Sequence, residues 1–299
     1  MPAVMELGNL PAEGSIGAFA SSDGYVQVWL IDPRRSLPGF QTIVDYGGQR
    51  LAVCGPPETP IVVGGSWGLK SLAGYQASDG SILWQRRLGH VQWITPSSDG
   101  HSVAVCFDRG PMLVVEAATG VTTLEVRAVA QFWYGRHEGL GLASTPGGIA
   151  LYATDPWRVL WRSRLPGALV HDAAIDSNGL IVSCSDEDAE GMVTSHLVSF
   201  DLTGNLQWHM ENRTDTHWQR AARDAGTGTW LTIEVDHERV RPAALVRWND
   251  NGEELGRTAV ATGGDFRFAS AGRLLISDLG DLFETQGGVR LGSLTHRST

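Results

Sequence analysis

Lysine is almost absent from this 299-residue chain, and Lys70 is the only one. The other basic residues are arginines dispersed along the chain, and 33 acidic residues bring the formal net charge to −10. A surface that binds nucleic-acid phosphates needs clustered cations, so this composition argues against nucleic acid as the partner. The negative field of the whole protein instead favours a basic protein partner.

Cysteines and long apolar runs are also scarce. Cys54, Cys106 and Cys184 are odd in number and each lies in an apolar run, which predicts reduced, buried thiols rather than a disulfide framework. No apolar stretch approaches the ~18 residues that span a bilayer. Residues 1–14 lack the cationic start and apolar segment of a signal peptide. We therefore expect a soluble, cytoplasmic protein that does not bind a membrane.

Glycine is abundant, with 37 residues, and no segment sustains helical apolar spacing without a glycine or proline. The chain divides instead into short apolar runs bounded by Gly, Asp, Asn or Pro, which is typical of strands joined by tight turns. A turn followed by a strand that carries Trp recurs at 79–84, 155–161 and 203–208. These segments mark a degenerate internal repeat.

The repeat is about 43 residues long and contains four short strands. Its first strands are expected near residues 3, 49, 91, 130, 169, 216 and 265. Four-stranded units of ~40–50 residues are typical of β-propeller blades. The sequence therefore predicts one all-β domain over residues 1–299, a seven-bladed β-propeller of four-stranded antiparallel blades.

The Asp/Thr-Gly-x-x-x-Trp turns that end at Trp84 and Trp208 resemble those of PQQ-like and WD-type repeat propellers. The resemblance covers the architecture of the whole chain. It implies the fold and almost nothing about activity, because one fold hosts many unrelated functions. The chain departs from the quinoprotein dehydrogenases of that family, since it has no vicinal cysteine pair and no Cys-x-x-Cys-His haem motif. We therefore expect no quinone and no other cofactor.

Acidic and aromatic residues are the candidates for a partner-binding face. Residues 185–191 carry four carboxylates, which predicts a docking patch for a basic partner; a solvated loop and a Ca²⁺ site are the alternatives. Aromatic residues near the starts of first strands suit either partner anchors or packing between blades. Trp84, Trp161 and Trp208 are assigned to blade packing. The predicted partner-binding residues are Trp67, His90, Trp93, Trp133, Asp186, Glu187, Asp188, Glu190, His217 and Trp218.

Motifs for catalysis are weak, since residues 64–68 only mimic Gly-x-Ser-x-Gly and no histidine pair has the spacing of a zinc helix. The sequence therefore favours a non-enzymatic protein-binding propeller. Within that class, a small acidic chain rich in arginine suggests a bacterial inhibitor of a basic protein, of the immunity or antitoxin type. The alternative is a propeller hydrolase or lyase with a metal or acid–base site, built from His90, His171 and His217 with Asp172, Asp215 or Asp265.

Overall fold

Every regular element that the computed structural model describes is a β-strand. The described residues are 6–7, 16–20, 25–30, 35–42, 49–56, 58–66, 68, 70–136, 139–189, 191–212, 216–236, 242–262, 266–269, 272–277 and 281–293. Over these ranges no helix is long and apolar enough to cross a membrane. The described residues form two compact units, the first up to Tyr134 and the second from Gly135 onward. A single domain over residues 1–299 stays a prediction.

The N-terminal sheet is irregular, with three strands that are only two residues long. Its strands are β1 (Glu6–Leu7), β2 (Ile16–Ala20), β3 (Tyr25–Leu30), β4 (Arg35–Ser36) and β5 (Phe40–Gln41). Strands β4 and β5 both pair with β3, at its two ends. Pro38 lies in the gap between β4 and β5. Because proline has no amide hydrogen to give to a ladder, the outer edge of this sheet is split.

Six four-stranded sheets follow, each with its strands in chain order, and we name them blades I to VI. Blade I comprises β6 (Gln49–Cys54), β7 (Ile61–Ser66), β8 (Ser71–Gln76) and β9 (Ile82–Arg87). Blade II comprises β10 (Val91–Pro96), β11 (Ser102–Phe107), β12 (Met112–Glu116) and β13 (Thr122–Val126). Blade III comprises β14 (Gln131–Tyr134), β15 (Leu140–Thr145), β16 (Gly148–Thr154) and β17 (Trp157–Ser163).

The last three blades lie in the second unit. Blade IV comprises β18 (Leu169–Asp176), β19 (Gly179–Glu187), β20 (Val193–Phe200) and β21 (Leu206–Asn212). Blade V comprises β22 (Thr216–Arg223), β23 (Trp230–Asp236), β24 (Pro242–Trp248) and β25 (Glu254–Thr262). Blade VI comprises β26 (Phe266–Ala269), β27 (Leu274–Ser277), β28 (Asp281–Glu284) and β29 (Arg290–Ser293).

The number of four-stranded blades is a correction to the sequence prediction. The all-β class is confirmed, but seven four-stranded blades is wrong, because six sheets have that pattern. The amino-acid sequence before Gln49 has apolar runs bounded by Gly, Asp or Pro, like the sequence of a blade. The outer edge of the N-terminal sheet is shared between β4 and β5 instead of forming one continuous fourth strand.

The hydrophobic core lies between neighbouring blades. The second and third strands are buried along most of their length, whereas fourth strands such as β9 and β21 alternate between exposed and half-buried residues. Buried residues such as Ala52 and Val63 of blade I share one cluster with Val105 and Val115 of blade II. Strands covered on both faces read as continuous apolar runs, which is why the sequence showed runs rather than strict alternation.

Three outer-strand tryptophans join neighbouring blades through a repeated contact. Their indole nitrogens donate to backbone carbonyls: Trp84 to Ala117 (2.7 Å), Trp161 to Leu202 (2.9 Å) and Trp208 to Asp250 (2.9 Å). Each ring also lies against a glycine of the next blade with positive φ, in the pairs Trp84–Gly120, Trp161–Gly204 and Trp208–Gly252. A Cβ at these glycines would lie 2.5 to 3.0 Å from the ring. The predicted packing role of these tryptophans is confirmed.

A β-bulge recurs in the first strands of blades II, IV and V. The register shifts between Val91 and Trp93, between Val170 and Asp172, and between Trp218 and Arg220. The residue after each bulge bonds to the first strand of the next blade: Trp93 Nε1 donates to Phe132 O (3.0 Å), Asp172 Oδ2 accepts from Ala221 N (3.1 Å) and Arg220 Nε donates to Phe266 O (2.8 Å). Bulges re-aim side chains in this way, so the shift redirects these residues toward the neighbouring blade.

Candidate partner-binding site

The described part of the predicted acidic run lies at the tip of the β19–β20 hairpin in blade IV, and we call residues 186–189 and 191–193 the acidic hairpin. Asp186 and Glu187 end β19 and pair with Thr194 and Val193 of β20. Asp188 closes the turn, since its amide donates to Met192 O (3.0 Å) and its Oδ1 accepts from Met192 N (2.9 Å). The side chains of Asp186, Glu187 and Asp188 are exposed. Glu190 lies outside the described residues.

Two exposed apolar side chains lie at the same end of blade IV. Leu169 is 61% exposed and pairs in register with Ser185, the residue that precedes the acidic hairpin. Met192 is 54% exposed and lies within the hairpin itself. This end of the blade therefore combines apolar side chains with three exposed carboxylates. That combination suits contact with another protein, because protein interfaces bury apolar residues inside a polar rim.

Two histidines connect Asp186 to the outer strand of blade IV. Asp186 Oδ1 lies 3.3 Å from His196 Nε2, and His196 Nδ1 lies 3.1 Å from His209 Nε2. The His196 side chain is only 6% exposed, whereas that of Asp186 is 50% exposed. The two imidazole rings are tilted by 39° with centroids 5.2 Å apart. We call Asp186, His196 and His209 the Asp–His–His chain.

The electrostatics of this chain favour the neutral form of His209. His209 is exposed, but the partial loss of its hydration lowers its pKa below the usual value of 6.5, and the neighbouring His196 lowers it further. Glu211, which pairs in register with His196, acts in the opposite direction on the pKa of His209. Sequence reasoning missed the role of His196 and His209. Their positions are visible in the sequence, but only the register of β20 and β21 brings them together.

The aromatic candidates lie mostly in the core. Trp133 and Trp218 are buried, and Trp93 is half-buried with its ring 5.6 Å from that of Trp133. Trp218 packs edge-on against Trp248, with ring centroids 6.2 Å apart. Trp67 lies outside the described residues. Contact of these tryptophans with a partner stays a prediction.

The histidines of the alternative, catalytic hypothesis are only partly brought together. His171 and His217 lie with ring centroids 5.2 Å apart, and His171 Nε2 is 2.8 Å from Ser185 Oγ. Asp172 is buried, and that burial raises the pKa of its carboxyl group while the nearby Arg220 opposes the shift. His90, half-buried, belongs to the first unit, where its carbonyl accepts from Asp108 N (3.0 Å). Asp215 and Asp265 lie outside the described residues.

A catalytic site could also use a bound metal ion or a reactive cysteine thiol. Within the described ranges, no group of three or more His, Cys, Asp or Glu side chains could hold a metal ion. Cys54, Cys106 and Cys184 are buried and free, as predicted. Burial raises the pKa of all three thiols, that of Cys184 to about 11. Buried thiols of this kind are unreactive, because the thiolate is the nucleophile.

Comparisons with known proteins address the architecture. No family model and no curated protein matches the sequence. The β-propeller domain of Myceliophteria thermophila Cps50 (Swd1) matches with a TM-score of 0.68 and 11% identity, over 98% of this chain and 96% of that one. The WD40 domain of Neurospora crassa Pan2 matches with a TM-score of 0.65 and 12% identity, over 92% and 85%. The chain has a β-propeller fold.

A PQQ-like propeller matches as well. BamB from Moraxella catarrhalis has a TM-score of 0.59 and 13% identity, over 94% of this chain and 82% of that one. The resemblance to WD-type and PQQ-like propellers is therefore confirmed at the level of architecture. At such identities the likeness concerns the fold alone, and the propeller fold commonly serves as a scaffold for protein interactions.

Proposed function

We propose that this propeller is a non-enzymatic binding protein that docks a basic protein partner on the exposed end of blade IV. The observation that carries the proposal is the acidic hairpin, with Asp186, Glu187 and Asp188 exposed next to the exposed apolar side chains of Leu169 and Met192. A few side chains that become buried at the centre of such an interface supply most of its affinity. Charges at its rim set the rate of association and the choice of partner.

The basic character of the partner follows from charge. The net charge of −10 attracts cations from a distance, and the acidic hairpin concentrates negative charge at one place. Within this function we propose a cytoplasmic, bacterial inhibitor of the immunity or antitoxin type. A small acidic chain that blocks one basic protein needs no catalytic site of its own.

Charge reversal at Glu187 tests the docking surface. The tagged full-length chain is used to capture and identify its partner, and the association rate of the purified pair is measured at low and moderate salt. Glu187→Lys should slow association and flatten its salt dependence, because it reverses a charge on the docking surface. Glu125→Lys is the matched control, since Glu125 is exposed on β13 in blade II. Equal effects of the two substitutions would contradict the proposed location.

Truncation of the apolar anchors tests the same surface independently of charge. Leu169→Ala and Met192→Ala should each weaken binding by about 1–2 kcal/mol if a partner buries these side chains, and should mainly increase the dissociation rate. Leu206→Ala is the control, because Leu206 is 58% exposed and starts β21 at the opposite end of blade IV. A partner that binds Leu169→Ala and wild type equally does not use this end of the blade.

A further inference from the structure

We propose that the Asp–His–His chain makes the acidic hairpin pH-sensitive, so that proton uptake at His209 places a positive charge beside Asp186 and weakens binding of a basic partner. The inference rests on the proposed function of the hairpin. Three observations carry it: the two hydrogen-bond distances of 3.3 and 3.1 Å, the burial of His196 between its partners, and the exposure of Asp186 on the docking surface.

The hydrogen bonds fix where the protons lie at neutral pH. An ionised carboxylate only accepts, so His196 Nε2 must carry the proton that it shares with Asp186 Oδ1. Neutral His196 then has its lone pair on Nδ1, and His209 Nε2 must donate to it. His209 Nδ1 is left as the unprotonated nitrogen. Both histidines are thus held as Nε2–H tautomers, which is a specific and measurable state.

Acidification changes this chain in a defined way. A proton from water binds His209 Nδ1, and the Nε2 proton of His209 then moves across the 3.1 Å hydrogen bond to His196 Nδ1. The product is an imidazolium at His196, next to the Asp186 carboxylate, and a neutral His209 that carries its proton on Nδ1. One proton is taken up and none is lost. The carboxylates of the acidic hairpin stay ionised, but a positive charge now lies beside Asp186 and offsets part of their attraction for a basic partner.

Other charged or titratable groups surround the chain. On the strands that flank His196, these are Glu211 of β21 and Cys184 of β19, which pair with it in register. Cys184 stays protonated because burial raises the pKa of its thiol to about 11. The loop between β17 and β18 packs on the backbone of Ser185 through Gly167 and carries the exposed Arg164. His171 of β18 contacts Ser185 Oγ.

These neighbours do not prevent the transfer. Besides Asp186, a second carboxylate lies near the histidine pair, that of Glu211. It favours proton uptake at His209. Burial and the mutual repulsion of the two histidines oppose that uptake. His209 is therefore expected to be uncharged at neutral pH and to take up its proton at a lower pH than an unperturbed histidine.

The test reads tautomers and binding on the full-length protein. At about pH 7.5 neutral histidine dominates, so long-range ¹H–¹⁵N NMR spectra at this pH should show both His196 and His209 as Nε2–H tautomers. Lowering the pH to about 5.5 should protonate the pair, with charge appearing on His196. An Nδ1–H tautomer at His196 at the higher pH would overturn the proposal, because Asp186 could not then accept from Nε2.

An octa-arginine peptide serves as the basic probe of the hairpin. Its affinity for wild type should fall about two- to fivefold between these two pH values, the size expected for loss of one exposed charge interaction. His209→Gln keeps a donor for His196 but removes the titrating ring, so its affinity should change less with pH. His101→Gln replaces an exposed histidine of blade II and should behave like wild type.

The outcomes separate the two proposals. Identical pH dependence in wild type and His209→Gln overturns the pH coupling, while peptide binding that depends on Glu187 leaves the docking surface supported. Failure of the peptide to bind at either pH counts against the docking surface. The NMR tautomers then still decide whether the proton arrangement is correct, because they require no partner.

Discussion

The contact between Trp84 and Gly120 should behave as a coupled pair in stability measurements. Gly120 has φ +73°, and a Cβ built there would lie 2.5 Å from Trp84 Cδ2. Left-handed backbone alone costs a non-glycine residue about 1–2 kcal/mol. Forcing a methyl group against the ring adds an overpacking cost of about 1–3 kcal/mol. Gly120→Ala is therefore expected to lower the free energy of unfolding by about 2–5 kcal/mol.

Removing the ring should remove the second part of that cost. Trp84→Ala deletes a half-buried side chain and the 2.7 Å hydrogen bond to Ala117 O, and is itself expected to cost about 2–4 kcal/mol. In the Trp84→Ala background, Gly120→Ala meets no ring and should cost only the backbone strain of about 1–2 kcal/mol. The double-mutant cycle should then give a coupling energy of about 1–3 kcal/mol.

Urea denaturation of the four proteins measures the cycle, and Gly110→Ala supplies the control. Gly110 belongs to the same unit, has φ +125°, and has nothing within 4 Å of an added Cβ. Its substitution should therefore cost the same free energy with and without Trp84. If Gly120→Ala also costs the same in both backgrounds, the ring does not occupy the space above Gly120 and the reasoning is refuted.

Three further substitutions or conditions test the described contacts. The Asp201 carboxylate accepts hydrogen bonds from Asn205 and Thr203, which lower its pKa from 3.8 to about 2. The ionised Asp201 carboxylate should therefore stabilise the fold above about pH 4, and this stabilisation should disappear as the pH falls toward 2. In urea titrations at several pH values, Asp201→Asn should lack that part of the pH dependence. Arg223 is buried and lies 3.5 Å from Asp176 and 2.5 Å from Asp250, so Arg223→Met should cost about 3–5 kcal/mol by removing a buried cation from between two carboxylates; a loss under about 1 kcal/mol would contradict this. Cys106, buried and with a raised pKa, should react with a thiol reagent only at the rate of unfolding, as read by absorbance with and without urea.

Local chemistry made the class of fold readable from the sequence. The turns before Trp84 and Trp208 can be recognised in the sequence from Gly80 and Gly204, because these positions have a positive φ that favours glycine. Short apolar runs bounded by turn residues predicted strands, and in the structure the strands in the middle of the blades are buried on both faces. Such signals act within a few residues, so a single sequence carries them.

The number of blades required knowledge of strand pairing. The sequence around Pro38 has apolar residues and turn-forming residue types like the other repeats, yet two short strands divide the edge of β3 between them. Pro38 is a local sign of an interruption, but the sequence does not show whether it falls where a fourth strand would pair with β3. The partner strand decides this, since ladder hydrogen bonds join residues that are distant in the sequence.

The candidate site shows the same division. Composition and the run of carboxylates at residues 186–188 predicted an acidic surface, because charge and exposure follow from residue type. The link from Asp186 through His196 to His209 depends on the register of three strands, and a shift by one residue would turn each side chain to the opposite face. The sequence by itself determined the strands, the turns and the sign of the charge. Only the tertiary structure decided which polar groups meet, because hydrogen bonds between strands are set by register and not by proximity along the chain.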